Sequence, residues 1–346
     1  MKKVFDLGVF MNIDIVIPWV DGSDKKWLHD KGKYEKNTKK NEGTNVARFR
    51  DWHQLKYVLR SIEQNLPWVH KIFLVTAHQV PQWLKKDTGK LEIVFHDEFI
   101  PAEYLPTFSS HTIELNIHRI PNLSEYFIYF NDDIFVLNPM QPSDFFRNGL
   151  PCDNALLHIH CPKKSLMIHT IAHNDAGVIN DHFNIHEVMF AKLSKWFCYR
   201  YGLKNILWNM FLSVCPRFPG FRQHHLANSY LKSTFIKVWN EEFEYLNSVC
   251  LNKFRKVTDV NQWVMREWQL ASNCFYPYNK FKYGKMIDFE KRDSVLELND
   301  CKKTIFGSKI KMICINDGDT IENFEEIRDE VNQLLEKKFP KSSFEK

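Results

Sequence analysis

The eight cysteines of this 346-residue chain never form a Cys-x-x-Cys pair. Scattered at positions 152, 161, 198, 215, 250, 274, 301 and 314, they outline no zinc or redox motif and read as reduced, buried thiols of a cytosolic chain. No stretch approaches the roughly 18 uninterrupted apolar residues of a membrane span. The opening MKKVFDLGVFMNIDIVIPWVDG has no clean apolar core and no small-residue cleavage site, because Asp6 and Asp14 interrupt it, so export is not favoured. GxxxxGK[ST] is absent, which argues against a P-loop kinase. Solenoid-type repeats and low-complexity linkers are also lacking, which favours one continuous catalytic domain. The expectation is a soluble or peripheral protein of the cytoplasm.

Aromatic residues are abundant, at 14% of the chain with 28 Phe and 10 Trp. The 44% hydrophobic and 26% charged content is that of an ordinary soluble globular protein. A length of 346 residues allows one large domain or two smaller ones. Against 42 acidic residues stand 47 basic ones, leaving +5. That small excess favours anionic ligands or a membrane surface and gives no ground for a nucleic-acid partner.

Ile13 to Val20 reads as a first strand, ended by the turn Asp21-Gly22-Ser23-Asp24. Lys25 to Asn45 is strongly charged, a helix or a loop. Phe49, Trp52, Leu55, Val58, Leu59, Ile62 and Leu66 recur at helical spacing, and Pro67 ends that helix. KIFLVT (71–76) and LEIVF (91–95) are short strands. Ser109 or Ser110 is a good N-cap for a helix that carries Glu114 and His118 one turn apart on one face. KIKMICINDGD (309–319) reads as a strand ending in Asn-Asp-Gly, and Phe324, Ile327, Val331, Leu334 and Leu335 mark a C-terminal amphipathic helix. This order predicts an α/β fold of the nucleotide-binding kind, a Rossmann-like mixed sheet with flanking helices and a mostly helical insertion. The expected division is an α/β half over residues 12–150, a mostly helical segment over 151–270, and a returning strand with the last helix over 271–346.

The run FIYFNDDIFV (127–136) is the centre of the pattern. A buried strand stops at Asn131-Asp132-Asp133, and adjacent carboxylates between apolar flanks are costly unless a cation or donors await them. Ligands of open α/β sheets sit at the carboxyl ends of strands. Hard oxygen ligands there suit Mg²⁺ or Mn²⁺ holding a nucleotide diphosphate. A polar turn after a strand is the plainer reading of two aspartates alone. Between Cys152 and His186 histidines are frequent, and His182 and His186 have helical spacing. No third ligand stands at a recognisable distance, so zinc is not expected. Trp196 to Phe221 is aromatic and basic without an acidic residue, the composition of a helix packed on the domain or of one lying at a membrane interface.

Four blocks stand in order: IDIVIPWVDGSD; RFRDWHQLKYVLRSIEQNLPWVHKIFLVT with LPTFSSHTIELNIHRI and FIYFNDDIF; HHLANSYLKSTFIKVW with FRKVTD; and ICINDGD. This order resembles the Stealth family, which includes bacterial capsular polysaccharide phosphotransferases and the catalytic part of the animal N-acetylglucosamine-1-phosphotransferase that marks lysosomal enzymes. The resemblance implies a single Stealth-type domain of glycosyltransferase A-type fold, with the nucleotide sugar bound by residues 12–150 and the catalytic His and Arg in 151–270. It also implies transfer of a hexose 1-phosphate from a UDP-sugar, such as UDP-N-acetylglucosamine, to a hydroxyl of a glycan. UMP would be released, with Mg²⁺ or Mn²⁺ required. It implies Asp132, Asp133 and Asp317 as metal ligands and His225 as the base, with His224 adjacent to it. Arg255 would grip phosphate, while Ser110, Glu114, Asn131 and Asp21 would line the donor site. The animal enzyme's inserted modules and membrane anchors are not expected here. A compact chain with a basic aromatic segment therefore suits a bacterial enzyme whose polysaccharide acceptor is membrane-attached, working at the inner membrane face. A metal-dependent glycosyltransferase releasing UDP is the alternative, and a non-catalytic glycan- or nucleotide-binding protein is the third class.

Overall fold

The computed structural model describes residues 11–35, 50–85, 88–161, 167–289, 294–318, 321 and 323–346. Its strands are β1 (Ile13–Pro18), β2 (Ile72–Thr76), β3 (Leu91–Phe95), β4 (Tyr126–Tyr129), β5 (Ile134–Val136), β6 (Phe146–Arg147), β7 (Leu150–Asp153), β8 (Asn228–Leu231), β9 (Tyr276–Pro277), β10 (Gly284–Phe289) and β11 (Met312–Asp317). The helices before β8 are α1 (Lys25–Glu35), α2 (Leu55–Asn65), α3 (Ser110–Asn116), α4 (Pro142–Phe145), α5 (Met167–His182), α6 (Ile185–Ala191), α7 (Leu193–Trp196) and α8 (Leu203–Leu212). After it come α9 (Lys232–Glu241), α10 (Phe243–Cys250), α11 (Gln262–Ala271), α12 (Val295–Ile305) and α13 (Phe324–Lys338).

The main sheet has the order β3-β2-β1-β4-β8. Its first four strands are parallel, and β8 closes the edge antiparallel to β4. Alternation along the strands builds two cores. Ile13, Ile15, Ile17, Ile72, Leu74 and Ile128 face one layer with α2 and α13. Val16, Phe73, Val75, Phe127 and Tyr129 face the other, with α3, α9 and α11. Burial on both sides is why these strands read as continuous apolar runs. The expected α/β mixed sheet with flanking helices is what the structure has.

FIYFNDDIFV is not one strand. It crosses from the main sheet, in β4, to a second sheet of order β10-β11-β5, so Asn131-Asp132-Asp133 is the joint between the two. The free edge of β5 is covered by α2: Val136 N donates to Ser61 Oγ (3.1 Å) and Val136 O accepts from Asn65 Nδ2 (2.6 Å).

Three expectations change. Helix α2 begins at Leu55 and not before Trp52, because His53 sits at φ 56 and its N–H donates to Asp51 Oδ1 (2.7 Å), a side-chain turn that breaks the helix. Phe49, named in that pattern, lies outside the described residues. His118 does not continue α3: the chain tightens into a 3₁₀ turn (Ile117–Arg119), and His118 packs between Phe235 and Trp239. The C-terminal part returns two strands to the second sheet, β10 and β11, paired in parallel. All eight cysteines are free; five are buried, Cys161 is exposed, and Cys215 and Cys274 are half-buried.

Candidate active site

The carboxyl ends of β1, β2 and β3, with the loop before α3, enclose a cleft of about 270 Å³. Asp24, Trp27, His78, Gln79, Asp97 and Phe108 are among its walls. Trp27 meets Phe108 edge to face at 5.6 Å, and Phe108 stacks on Phe254 at 5.4 Å, giving one aromatic side suited to a flat ring. Gln79 bonds the Asp21 backbone twice, accepting from N and donating to O, each at 2.9 Å. The Asp21 carboxylate is used locally: Oδ1 accepts from Ser23 N (2.8 Å) and Ser23 Oγ (2.6 Å). Asp24 caps α1 through Trp27 N at 2.7 Å.

Beside this cleft runs a polar relay. Arg255 Nη2 donates to Ser110 Oγ (2.6 Å), Ser110 Oγ donates to Glu114 Oε1 (2.7 Å), and Glu114 Oε2 accepts from Gln262 N (3.3 Å). Ser109, at the N-cap of α3, makes no capping bond, so Ser110 is free to serve the relay. Behind it, buried His111 Nδ1 meets Asp259 Oδ2 at 3.0 Å. Among the described residues Arg255, half-buried, forms no ion pair. A guanidinium held in place by a hydroxyl and given no carboxylate is arranged for an anion from outside.

Tyr129, the last residue of β4, lies two residues before the acidic joint. Its hydroxyl is held well above the usual range by burial first, then by the negative charge of Glu114. Arg255 and Asp132 act on the same hydroxyl, in opposite directions. Asp132 and Asp133 are half-buried. Burial, then the neighbouring Asp133, pushes the Asp132 carboxyl up to about 8. Burial pushes Asp133 up to about 6, although a hydrogen bond from Cys314 Sγ (3.3 Å) opposes it. Asp133 Oδ1 is buried and has no hydrogen-bond partner.

His224 and His225 precede β8, whose first residue Asn228 pairs with Tyr129, so both lie near the same end of the sheet. They face different ways. His224 is buried, with Nε2 3.8 Å from Asp153 Oδ1, and burial with the Lys280 charge pulls it down to about 3. Arg266 completes that inner cluster, gripping Asp153 at 2.7 and 3.0 Å. His225 is half-buried and meets Trp263 edge to face at 5.4 Å. Burial lowers its pKa, against an upward pull from Asp288. Asp288, on β10, accepts from Asn316 Nδ2 (2.8 Å), and its charge also raises Asp133.

Asp317 is spoken for: Arg50 Nε donates to its Oδ2 at 2.8 Å and Nη2 to its Oδ1. No ready-made group of three or more His, Cys, Asp and Glu exists among the described residues. Mg²⁺ needs only one or two protein carboxylates when phosphates and water complete its shell. The unpartnered Asp133 oxygen and the adjacent Asp132 fit that demand. The histidine-rich stretch has other partners: His182 Nε2 meets Glu242 Oε1 at 2.5 Å and His186 Nε2 meets Ser213 O at 3.1 Å.

Sequence reasoning missed Asp288, Tyr129, Gln79 and Arg50. Only Asp288 left a trace, as an acid near the end of the run GKMIDF.

Among the described residues no helix is long and apolar enough to cross a membrane. Two family models match, Stealth protein conserved region 1 over residues 11–39 and conserved region 2 over residues 48–152. His225, Arg255 and Asp317 lie beyond both. Over 338 residues the chain is 38% identical to the capsular polysaccharide phosphotransferase WcwK of Streptococcus pneumoniae, covering 96% of this chain and 98% of that one. The exopolysaccharide phosphotransferase cps2G of Lactiplantibacillus plantarum is 37% identical, with 99% and 98% covered. Among solved structures, galactosyltransferase LgtC in complex with donor and acceptor sugar analogs aligns at a TM-score of 0.40 and 10% identity, over 92% of this chain and 95% of that chain. With relatives this similar along nearly its whole length, the chain belongs to the Stealth family and is one of its phosphotransferases.

Proposed function

We propose that this protein moves a hexose 1-phosphate, such as N-acetylglucosamine 1-phosphate, from a UDP-sugar to a hydroxyl of a growing capsular or exopolysaccharide, releasing UMP. The observation that carries this reading is a pair of unmet groups: Arg255, fixed by Ser110 and without an ion pair among the described residues, and Asp133, whose buried Oδ1 has no hydrogen-bond partner. A cation-binding joint beside an arginine without an ion-pair partner is what a diphosphate asks for, since phosphoryl transfer needs charge neutralisation and alignment more than covalent help.

In this reading the nucleoside lies in the cleft walled by Trp27 and Phe108, and its diphosphate reaches toward Arg255 and the acidic joint. Asp132 and Asp133 would hold Mg²⁺ or Mn²⁺, which when bound neutralises the diphosphate and the departing UMP. His225, neutral because burial lowers its pKa, accepts the proton of the acceptor hydroxyl. That oxygen bonds to the β-phosphorus as the bond from the β-phosphorus to the bridging oxygen breaks, and UMP departs with that oxygen. Arg255 steadies the phosphate oxygens, with Ser110 and Glu114 fixing its guanidinium. Asn131 sets the joint, and Asp21 shapes the cleft through its backbone. Asp317 has a positioning role in its pair with Arg50. The free thiols suit a cytoplasmic setting.

Identifying the nucleotide product tests the reading. The protein, UDP-N-acetylglucosamine or another UDP-sugar, a divalent cation and a glycan acceptor should yield UMP with sugar phosphate on the acceptor. UDP with a plain glycosidic linkage establishes the glycosyltransferase alternative and overturns the proposal. Asp133→Ala should be inactive, and wild-type activity that persists in a chelator removes the metal from the scheme.

A further inference from the structure

Apart from the cleft, α8 is apolar toward solvent as well as toward the core, where Leu212 is buried. Its inward residue Asn209 is fully buried and clamps the helix to the body: Oδ1 accepts from Leu157 N (2.9 Å), and Nδ2 donates to Ala155 O (2.7 Å) and Trp196 O (2.9 Å). The outward side carries Leu203 (72% exposed), Leu207 (54%), Met210 (53%), Phe211 (64%) and, just past the helix, Val214 (77%). Their spacing of four, three, one and three makes one stripe along the helix. Trp208 stacks on Phe211 at 5.7 Å, and Tyr199 stands 78% exposed in the turn before the helix. A helix that already packs inward through Asn209, Leu212 and Ile206 and still shows a second apolar stripe to solvent is built for a second surface.

Charge selects that surface. Lys192, Arg200, Lys204 and Arg217 are exposed along the same stretch. No Asp or Glu occurs between Glu187 and Glu241. Two copies meeting through this face would bring cations against cations with no carboxylate from the stretch to separate them. Apolar side chains, a Trp and a Tyr within a margin of Lys and Arg are instead the composition of a helix lying in a lipid interface. We infer that the outer face of α8, with the turn at Tyr199–Tyr201, docks this protein on an anionic lipid surface. The inference stands on this surface alone and not on the identity of the donor.

Flotation of the full chain with vesicles of phosphatidylcholine, with and without phosphatidylglycerol, tests it. Wild type should float with the anionic vesicles and be released by high salt, since exposed charges are screened. The double variant Leu207→Ser/Phe211→Ser should lose at least ~10-fold in partitioning, the equivalent of one apolar side chain's transfer. Both residues are solvent-exposed, so an unchanged thermal midpoint shows the fold intact. Lys204→Glu, which keeps the apolar stripe, should also weaken binding to the anionic vesicles. The inference is overturned if wild type floats with neither composition, or if the double variant floats as well as wild type. A dimer in sedimentation that the double variant converts to monomer, with no vesicle binding by either, would assign the face to a second copy and overturn it too.

Discussion

At the scale of the residue, two adjacent histidines stand in different surroundings. The chain bends at His225 and Leu226 on the approach to β8, and Leu226 N donates to His224 Nδ1 (3.4 Å); His224 enters the Asp153–Arg266–Lys280 cluster while His225 meets Trp263. His225→Ala should leave donor binding nearly intact and lower turnover at least ~100-fold, the usual size of a lost general base; steady-state kinetics with a direct donor-binding titration would show it, and full turnover would remove the assignment. The pH profile gives a second reading. Burial lowers the pKa of His225, so the neutral, proton-accepting form persists below the ordinary histidine range of about 6.5. The acid limb of kcat should therefore lie below that range. Asp288 pulls the same pKa upward, so Asp288→Asn should move the limb to still lower pH. A limb that moves up would sink the assigned pairing. Asp132, Asp133, Ser110, Glu114, His225 and Arg255 are candidates from the sequence, and of these the structure joins Arg255, Ser110 and Glu114 in one relay. Asp288 and Tyr129 are not among those candidates, because nothing local distinguishes an acid or a tyrosine in a strand from its neighbours until register places it beside the joint.

At the scale of the element, strands buried on both faces announced themselves as apolar runs, and β1 to β4 were readable for that reason. What stayed hidden was set by single residues working against a pattern. His53 cuts α2 short, and Lys285 and Asp288 break the apolar run of β10, so only β11 showed as a returning strand. The strands of the main sheet are also tied together at the end away from the site. Asp14 is fully buried on β1, with Oδ1 accepting from Lys71 N (3.1 Å) beside His70 Nδ1 (2.8 Å), and Oδ2 accepting from Ser124 N (2.7 Å). This carboxylate gathers the entries to β2 and β4 onto β1. Asp14→Ala strands those donors, each costing about 1–3 kcal/mol when buried and unmet. Denaturant unfolding should show a loss of ~2–4 kcal/mol, while kcat, measured well below the unfolding midpoint, stays near wild type. A matching fall in kcat would mean that the two ends of the sheet are not independent.

At the scale of the whole molecule, the site exists only while two sheets keep one relation, since the acidic joint ends β4 in one and begins β5 in the other, and Asp288 comes from β10. Helix α2 holds that relation. One side caps β5 through Ser61 and Asn65, and buried Arg60 reaches the end of the chain. Its guanidinium bonds Glu345 at 2.7 and 2.8 Å, Glu336 at 2.9 Å and the carbonyl of Phe339 at 3.2 Å. Burial alone raises the Glu345 carboxyl, but the bonds from Arg60 and Ser342 outweigh it and hold its pKa at about 2, below the ordinary 4.5. A carboxyl whose pKa is lower folded than unfolded stabilises fully above the unfolded value and loses that contribution as pH falls toward the folded one. Wild type should thus lose stability between pH 4.5 and about 2 in part through this group. Arg60→Ala leaves Glu345 buried without its cation, a change that costs about 3–5 kcal/mol. In urea unfolding at neutral pH the variant should show that loss, and between pH 4.5 and 2 its stability should fall less steeply than that of wild type, because the group that was being titrated no longer has a partner to lose. Equal slopes in the two proteins would show that the clamp does not set the acid limit of the fold, and the hold on the two sheets would then have to be sought in the packing of α2 against β5.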